Sequence, residues 1–570
     1  MSQSDLVLLH PPSVYDFRQK TILYGPVSDL IPSSSVFEMY PIGFASIAEY
    51  LERTGYRVRI VNLAVRMLND LNFDAEAMIK QLKSPVFGID LHWLVHAHGA
   101  IEVARLVRKY HPEAKIVFGG FSASYYSREL LGYPEIDYVL RGDSTEEPFR
   151  QLMDCLKSGE EPETVPNLVW RDSQGKIREN PFSHVPADLN GVMDNHYANI
   201  VRSVIRYRDL ASYAPFKNWT NYPITAVFTC RGCTQDCVIC GGSAAAFRNF
   251  YHRGKTVFRS PESVIRDIKQ IERFSSGPIF ILGDVHQPGD EYVNQLLHLL
   301  RKEKVKNQFI VEIFSPASRD FLQQVSLSCP DFCLQISPET HAPEVRRAAG
   351  KHYSNKALEQ TLSDALDVGC GRLDVFFMIG LPKQTPQSVM DTVNYCDFLL
   401  QKFNGDKRLS LFMAPLAPFL DPGSLAFEQP ERYGYHILFR TLEEHRRALL
   451  APSWKYTLNY ETKWMTRQQI VDTAYEAILR LNEVKAKYGI ISEEMLKTGE
   501  KRLRAARDMI PRIDHILSGD NSEEELAHLK AEIDRINMSP VSEKTELALP
   551  VGLVKLKLLR SLWYWAIGQR

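Results

Sequence analysis

Phe228-Thr229-Cys230-Arg231-Gly232-Cys233-Thr234-Gln235-Asp236-Cys237-Val238-Ile239-Cys240 closes an apolar, strand-like run at 224–229. It packs four of the chain's nine cysteines into eleven residues. The N-terminus, Met1-Ser2-Gln3-Ser4-Asp5, has no basic and apolar export signal. With an odd cysteine count, that points to metal spacing in the cytoplasm rather than a disulfide framework. Cys233, Cys237 and Cys240 form C-x3-C-x2-C. Three thiolates this close can bind three irons of a [4Fe–4S] cube and leave the fourth iron open. Zinc is the competing reading, because Cys230-x2-Cys233 and Cys237-x2-Cys240 also supply four thiolates. Zinc ribbons, however, usually set their two pairs a dozen or more residues apart. Cys230 is expected to stay off the cluster. Cys155, Cys329, Cys333, Cys370 and Cys396 read as buried thiols with no chemical role.

Downstream of 224, strand-like runs alternate with amphipathic helical stretches through 414. About six strand–helix units suit a full or partial (β/α) barrel, with reactive groups at the carboxyl ends of its strands. Upstream, the runs 6–9, 57–63, 86–91, 115–118 and 138–140 alternate with helical stretches such as 42–53 and 101–110. Short, continuous apolar strands of this kind predict a doubly wound, Rossmann-like α/β domain with helices on both faces. Residues 157–220 show little period, and helical patterns dominate after Pro422-Gly423, including a Ser522-x-x-Glu525 capping box. The expected organisation is therefore 1–156, a doubly wound domain; 157–220, a connector; 221–425, a partial barrel; and 426–570, a helical accessory domain. At 570 residues and 44% apolar content the chain can fill several cores. Its 68 Lys and Arg against 69 Asp and Glu leave no global field to recruit nucleic acid. No uninterrupted apolar run reaches the roughly 18 residues a spanning helix needs.

The cysteine motif resembles that of the radical S-adenosylmethionine (SAM) enzymes. Arg231-Gly232 immediately before it is common in the branch that carries an N-terminal cobalamin-binding domain. The resemblance covers about residues 6–425. It implies that the open iron chelates SAM, that reductive cleavage gives a 5′-deoxyadenosyl radical, and that an external electron donor such as flavodoxin or ferredoxin supplies the electron. Gly283 and Asp284, in Ile281-Leu282-Gly283-Asp284, are similar to the strand end that holds the SAM amino group. Glu339, in Gln335-Ile336-Ser337-Pro338-Glu339-Thr340, is similar to the ribose segment, with Pro338 departing from the commoner wording. Gly380, in Phe377-Met378-Ile379-Gly380-Leu381-Pro382-Lys383, looks like the residue that admits the adenine edge, with Lys383 replacing the usual second Gly.

Gly119, Gly120, Phe121 and Ser122 end a predicted strand, where paired glycines let a ligand reach the backbone. With Tyr40 and Gly43 opening the first long helix, this resembles a cobalamin-binding domain. No Asp-x-His-x-x-Gly follows the first strand, so the resemblance leaves the lower axial ligand of cobalt unassigned. His92, His96 and His98 sit together near a strand end; they either face the corrin or substrate, or bond neighbouring backbone. No Gly-x-Gly-x-x-Gly follows the first strand, which disfavours NAD. The resemblance implies methylation of an unactivated carbon in a small-molecule or lipid substrate. Cyclisation or rearrangement with the same cofactors is the alternative, and a non-catalytic cobalamin or redox sensor the alternative of another class. No catalytic residue is assigned. The segment 551–570, basic with Trp563 and Trp565, reads as a helix docking on the barrel, with peripheral membrane contact as its second reading.

Overall fold

A computed structural model describes residues 3–26, 42–193, 197–217, 219, 223–519, 522–542, 546 and 557. The first sheet contains β1 (Leu6–His10), β2 (Val58–Asn62), β3 (Val86–Asp90), β4 (Lys115–Gly119), β5 (Tyr138–Leu140), β6 (Leu168–Arg171) and β7 (Ile177–Glu179). Their spatial order is β2-β1-β3-β4-β5-β6-β7. β1 to β5 run parallel. Alternate residues of each strand enter different cores: Leu6, Leu8, Val58, Ile60 and Val117 on one face, Val7, Leu9, Val61, Ile116 and Phe118 on the other. Helices Gly43–Arg53 and Glu146–Ser158 cover the first face through Phe44, Leu51, Phe149 and Leu152, and Ala97–Tyr110 covers the second through Ile101, Val103 and Val107. Apolar side chains on both faces account for the unbroken apolar runs in the sequence.

The stretch 157–220, expected as a connector, holds more structure than its sequence suggests. β6 adds antiparallel to β5, pairing Tyr138 with Trp170, and β7 pairs with β6. β6 has four residues, and the three of β7 are all exposed, so neither carries an alternation long enough to read.

A short ribbon follows the next strand: β8 (Thr225–Phe228) leads into β9 (Cys230–Arg231), which pairs with β10 (Val257–Phe258). β8 also begins the second sheet, completed by β11 (Ile279–Leu282), β12 (Phe309–Ile313), β13 (Phe332–Glu339), β14 (Arg372–Ile379) and β15 (Leu409–Pro415). All six are parallel, in the order β15-β14-β13-β12-β11-β8, an open sheet consistent with a partial barrel. Its core is continuous with the C-terminal helices. Ile470, Val471, Ala474 and Tyr475 of helix Arg467–Lys487, and Leu503 and Ile513 of helix Glu493–Leu517, belong to the same cluster as Val227, Ile281, Val311 and Leu411. A helix does open at Ser522, running to Met538. Tyr40 and, apart from Lys557, the segment 551–570 lie outside the described residues. Lys557 donates from Nζ to the Glu272 carbonyl (2.6 Å). No helix among the described residues is long and apolar enough to cross a membrane.

Candidate functional site

Both parallel sheets direct their carboxyl ends toward one cavity of about 490 Å³. The first sheet contributes Gly43, Asp90, His92, Gly119, Gly120, Phe121, Asp143 and Glu146 to its wall; the second contributes Phe228, Cys230, Arg231, Gly232, Gly283 and Glu312.

The cysteine loop runs from β8 to helix Ala244–Phe250. Neighbouring elements fix it at three points. Val238 N–H donates to the Ala349 carbonyl (3.0 Å), Ala426 N–H donates to the Val238 carbonyl (2.9 Å), and Gly241 N–H donates to Asp421 (3.2 Å). Gly350, at φ +98°, packs so closely that a Cβ there would lie 2.8 Å from the Asp236 carbonyl oxygen. Backbone N–H groups of Gln235 and Gly242 point at Cys233 Sγ and Cys240 Sγ (3.4 and 3.3 Å). Burial pushes the Cys237 thiol up to about 11 and the Cys240 thiol up to about 12. A metal ligated by these thiols overrides that effect, since a coordinating thiol is deprotonated outright.

The donor spacing bears on which metal fits. Among the described residues, the one group of three or more His, Cys, Asp or Glu ligand atoms lying within 4.8 Å of one another is His10, Asp90 and His92. Tetrahedral zinc with Zn–S bonds of about 2.3 Å would draw cysteine sulfurs to about 3.8 Å apart. The cysteines are not gathered in that way, whereas a cube takes each sulfur on a different iron. Cys230 belongs to the ribbon: its backbone pairs with Phe258, and its Sγ lies 3.1 Å from where a Cβ on Gly283 would stand.

Glu339 is the clearest sign of a ligand in the barrel. The β13–β14 register shifts between Ile336 and Glu339, and Glu339 sits at φ +64°. Such a bulge re-aims a side chain. One carboxylate oxygen pairs with Lys351 Nζ (2.7 Å), while Oε2 is buried without a hydrogen-bond partner. A buried, unpaired carboxylate oxygen is costly unless a ligand hydroxyl or amine satisfies it, which suits SAM. Asp284 is committed differently: its oxygens accept from the His286 and Phe314 N–H groups (2.9 and 2.8 Å). Gly283 N–H donates to Glu312 (2.6 Å), a cavity-lining carboxyl that burial raises above its ordinary value. Sequence reasoning missed Glu312, because an acid inside the apolar run Phe309–Ile313 carries no motif. At Gly380, φ +101°, the space a Cβ would occupy is filled by the Tyr460 hydroxyl, 2.2 Å away. The glycine thus admits a tyrosine from the C-terminal segment, where an adenine edge was expected.

The five parallel strands of the first sheet have the order 2-1-3-4-5, and the direction in which successive strands are added reverses between β1 and β3, the crevice where doubly wound folds take ligands. No atom outside the neighbouring residues lies within 4 Å of a Cβ position at Gly43, and at Gly119 the nearest is the Leu140 oxygen, 3.9 Å away. These glycines therefore form a cradle that larger residues would fill. Phe121, which lines the cavity, also packs across the domain boundary on Phe247 and Tyr251, with ring centroids 5.6 and 4.7 Å apart. Ser122 does not line the cavity. Two buried ion pairs join the domains: Arg231 with Glu146 (2.5 Å) and Arg253 with Asp143 (Nη2 to Oδ1, 3.0 Å). Both guanidiniums also donate to Ser144 Oγ. Against the upward push of burial, the Arg231 charge and hydrogen bond hold the Glu146 carboxyl below its ordinary value.

Comparison with known proteins agrees with this layout. The B12 binding domain family matches residues 30–152, and the Radical SAM superfamily matches residues 227–396. The hopanoid C-3 methylase of Methylococcus capsulatus is 24% identical over 290 residues, half of each chain. The cytidylyl-2-hydroxyethylphosphonate methyltransferase of Streptomyces wedmorensis is 25% identical over 256 residues, covering 39% of this chain and 47% of that one. The chain thus spans about half the length of the curated relatives it matches. The radical S-adenosylmethionine methyltransferase TsrM from Kitasatospora setae shares the fold, with TM-score 0.55, 14% identity, and coverage of 77% of this chain and 79% of that one.

A doubly wound B12-binding domain stands rim to rim against a radical SAM partial barrel, with one cavity between them. A [4Fe–4S] cluster and SAM belong to the second domain and cobalamin to the first. The chain thus carries a B12 binding domain and a Radical SAM domain in one polypeptide.

Proposed function

We propose that this chain is a cobalamin-dependent radical SAM enzyme that methylates an unactivated carbon. The observation that carries the reading is the shared cavity, walled by the Gly119-Gly120 rim on one side and by Cys230, Gly232, Gly283 and Glu312 on the other. When bound, the cluster and SAM supply a radical that removes a hydrogen atom, and cobalamin supplies a methyl group. The chain's own residues bind, orient and enclose. Cys233, Cys237 and Cys240 hold the cluster; Glu339 Oε2 and the Gly283 turn hold SAM; Gly43 and Gly119 give cobalamin access to the backbone, while Gly120 lets the chain pass against the backbone of His92. The ion pairs at Arg231 and Arg253 fix the two halves of the cavity, and reactions of this kind depend on such alignment. The reductant is an external one-electron donor such as flavodoxin or ferredoxin, and the substrate is a small molecule or lipid met in the cytoplasm.

The three relatives are named for, or bound to, a hopanoid, a cytidylyl phosphonate and tryptophan. The test therefore pairs a lipid, nucleotide and amino-acid panel with chain reconstituted anaerobically with iron, sulfide, cobalamin and SAM. Methylation yields both 5′-deoxyadenosine and S-adenosylhomocysteine with a substrate. Deoxyadenosine alone would replace methylation with cyclisation or rearrangement, and neither product from cobalamin-loaded protein would favour a sensor. A lipid substrate would also give segment 551–570 a membrane surface to lie on.

A further inference from the structure

A cluster of imidazoles stands where β1 and β3 end, in the crevice of the first sheet. Asp90 bridges two of them: Oδ1 meets His10 Nδ1 (3.0 Å) and Oδ2 meets His92 Nδ1 (2.6 Å). His96 lies beside both, with ring centroids 4.9 Å from His10 and 5.0 Å from His92. His10 and His96 are fully buried, and neither lines the cavity. His92 does line it, with its side chain 26% exposed. Because Asp90 holds Nδ1, the ring's second nitrogen, Nε2, is the one left for a ligand. The backbone beneath this ring is fixed as well. Leu91 N–H donates to the Gly119 carbonyl (2.8 Å), Ala123 N–H donates to the Leu91 carbonyl (3.0 Å), and a Cβ on Gly120 would lie 2.5 Å from His92 Cα.

A carboxylate on one nitrogen of an imidazole and a metal on the other is the usual arrangement of histidine ligands; the carboxylate sets the tautomer and raises the ligand's basicity. We infer that His92 Nε2 is an axial ligand to the cobalt of cobalamin bound in this cavity, positioned by Asp90, with His10 holding the carboxylate's other oxygen. The inference rests on the cobalamin reading above. It places the ligand at the end of the third strand, outside the Asp-x-His-x-x-Gly context that would have marked it after the first. A separate metal ion between His10, Asp90 and His92 would have to break both hydrogen bonds to Asp90, which makes it the poorer account of the same atoms.

The test uses the full chain loaded with cobalamin and reduced to the cob(II)alamin state, and reads its electron paramagnetic resonance spectrum. One axial nitrogen of natural isotope splits the cobalt lines into triplets. Protein grown on ¹⁵N should turn those triplets into doublets, because the ligand nitrogen comes from the chain; His92→Ala should abolish the protein-derived splitting. Triplets that survive ¹⁵N labelling would mean that the nucleotide base of cobalamin is bound instead, and would overturn the inference. So would a spectrum without nitrogen splitting, or doublets that persist in His92→Ala. The labelling arm needs no variant to fold. A chain that takes up no cobalamin overturns the functional reading and this inference together; one that takes up cobalamin without ¹⁵N-sensitive splitting overturns this inference alone.

Discussion

The cysteine loop and the rim of the first sheet face each other across one cavity, yet they are built in opposite ways. The loop is contiguous: its three proposed ligands fall within eight residues, and the segments that clamp it, around Ala349 and Asp421, only fix its position. The rim is assembled from His10, Asp90, His92, Gly119 and Gly120, which parallel register alone brings together: Leu9 beside Ile89, and Asp90 beside Gly119. A contiguous site tolerates neglect of the fold when it is read, and a register-built site does not. The loop should therefore fail locally, whereas the rim depends on the sheet.

The largest expected effect separates the two. Cys237→Ala should lose the iron, the sulfide and all SAM cleavage while still taking up cobalamin; Cys230→Ala should keep the cluster. Metal analysis and visible absorption check both, and loss of cobalamin uptake in Cys237→Ala would break the contrast.

The next effect acts on the seam between the regions. Arg231→Met leaves Glu146 buried without its cation, a loss of about 3–5 kcal/mol for a pair of this kind. Chemical denaturation should show it, and Arg231→Met combined with Glu146→Leu should recover most of it. A double variant as unstable as the single would mean that shape, not charge, joins the domains.

Gly380→Ala ranks third, at about 2–5 kcal/mol, from a side chain at φ +101° and its overlap with the Tyr460 hydroxyl. Adding Tyr460→Phe removes the overlap but also the bond from Tyr460 to the Leu416 carbonyl (2.9 Å). Recovery should therefore be partial, as read by thermal unfolding.

Legibility followed the same division. The two parallel sheets were readable because continuous apolar runs such as Val86–Asp90 and Phe309–Ile313 mark strands covered on both faces. The hairpin Leu168–Arg171 and Ile177–Glu179 was not, being too short for a period to accumulate. Within the site, the C-x3-C-x2-C spacing and the Gly119-Gly120 turn stand out by themselves. Glu312 does not, since its role depends on reaching Gly283 on the neighbouring strand. His92, His96 and His98 were visible as a group, but that His10 joins His92 through Asp90 depends on which strands are neighbours, and His98 instead accepts from the Tyr15 N–H (3.2 Å).

The smallest effect tests whether the cysteine loop is as self-supporting as its contiguity suggests. Helix Ala244–Phe250 begins four residues after Cys240, and the loop itself satisfies its first N–H groups: Ala244 donates to the Gln235 carbonyl (2.8 Å), Ala245 to Asp236 Oδ1 (2.7 Å) and Ala246 to Ser243 Oγ (3.3 Å). Ser243→Ala removes only the last of these, a cap worth about 1 kcal/mol. Gln235 and Asp236 lie between Cys233 and Cys237, so the remaining bonds still tie the helix to the cluster-binding residues. Iron content should stay at the wild-type level while the unfolding midpoint falls slightly. A Ser243→Ala protein that cannot hold its iron would show that the loop, like the rim, depends on structure beyond its own motif.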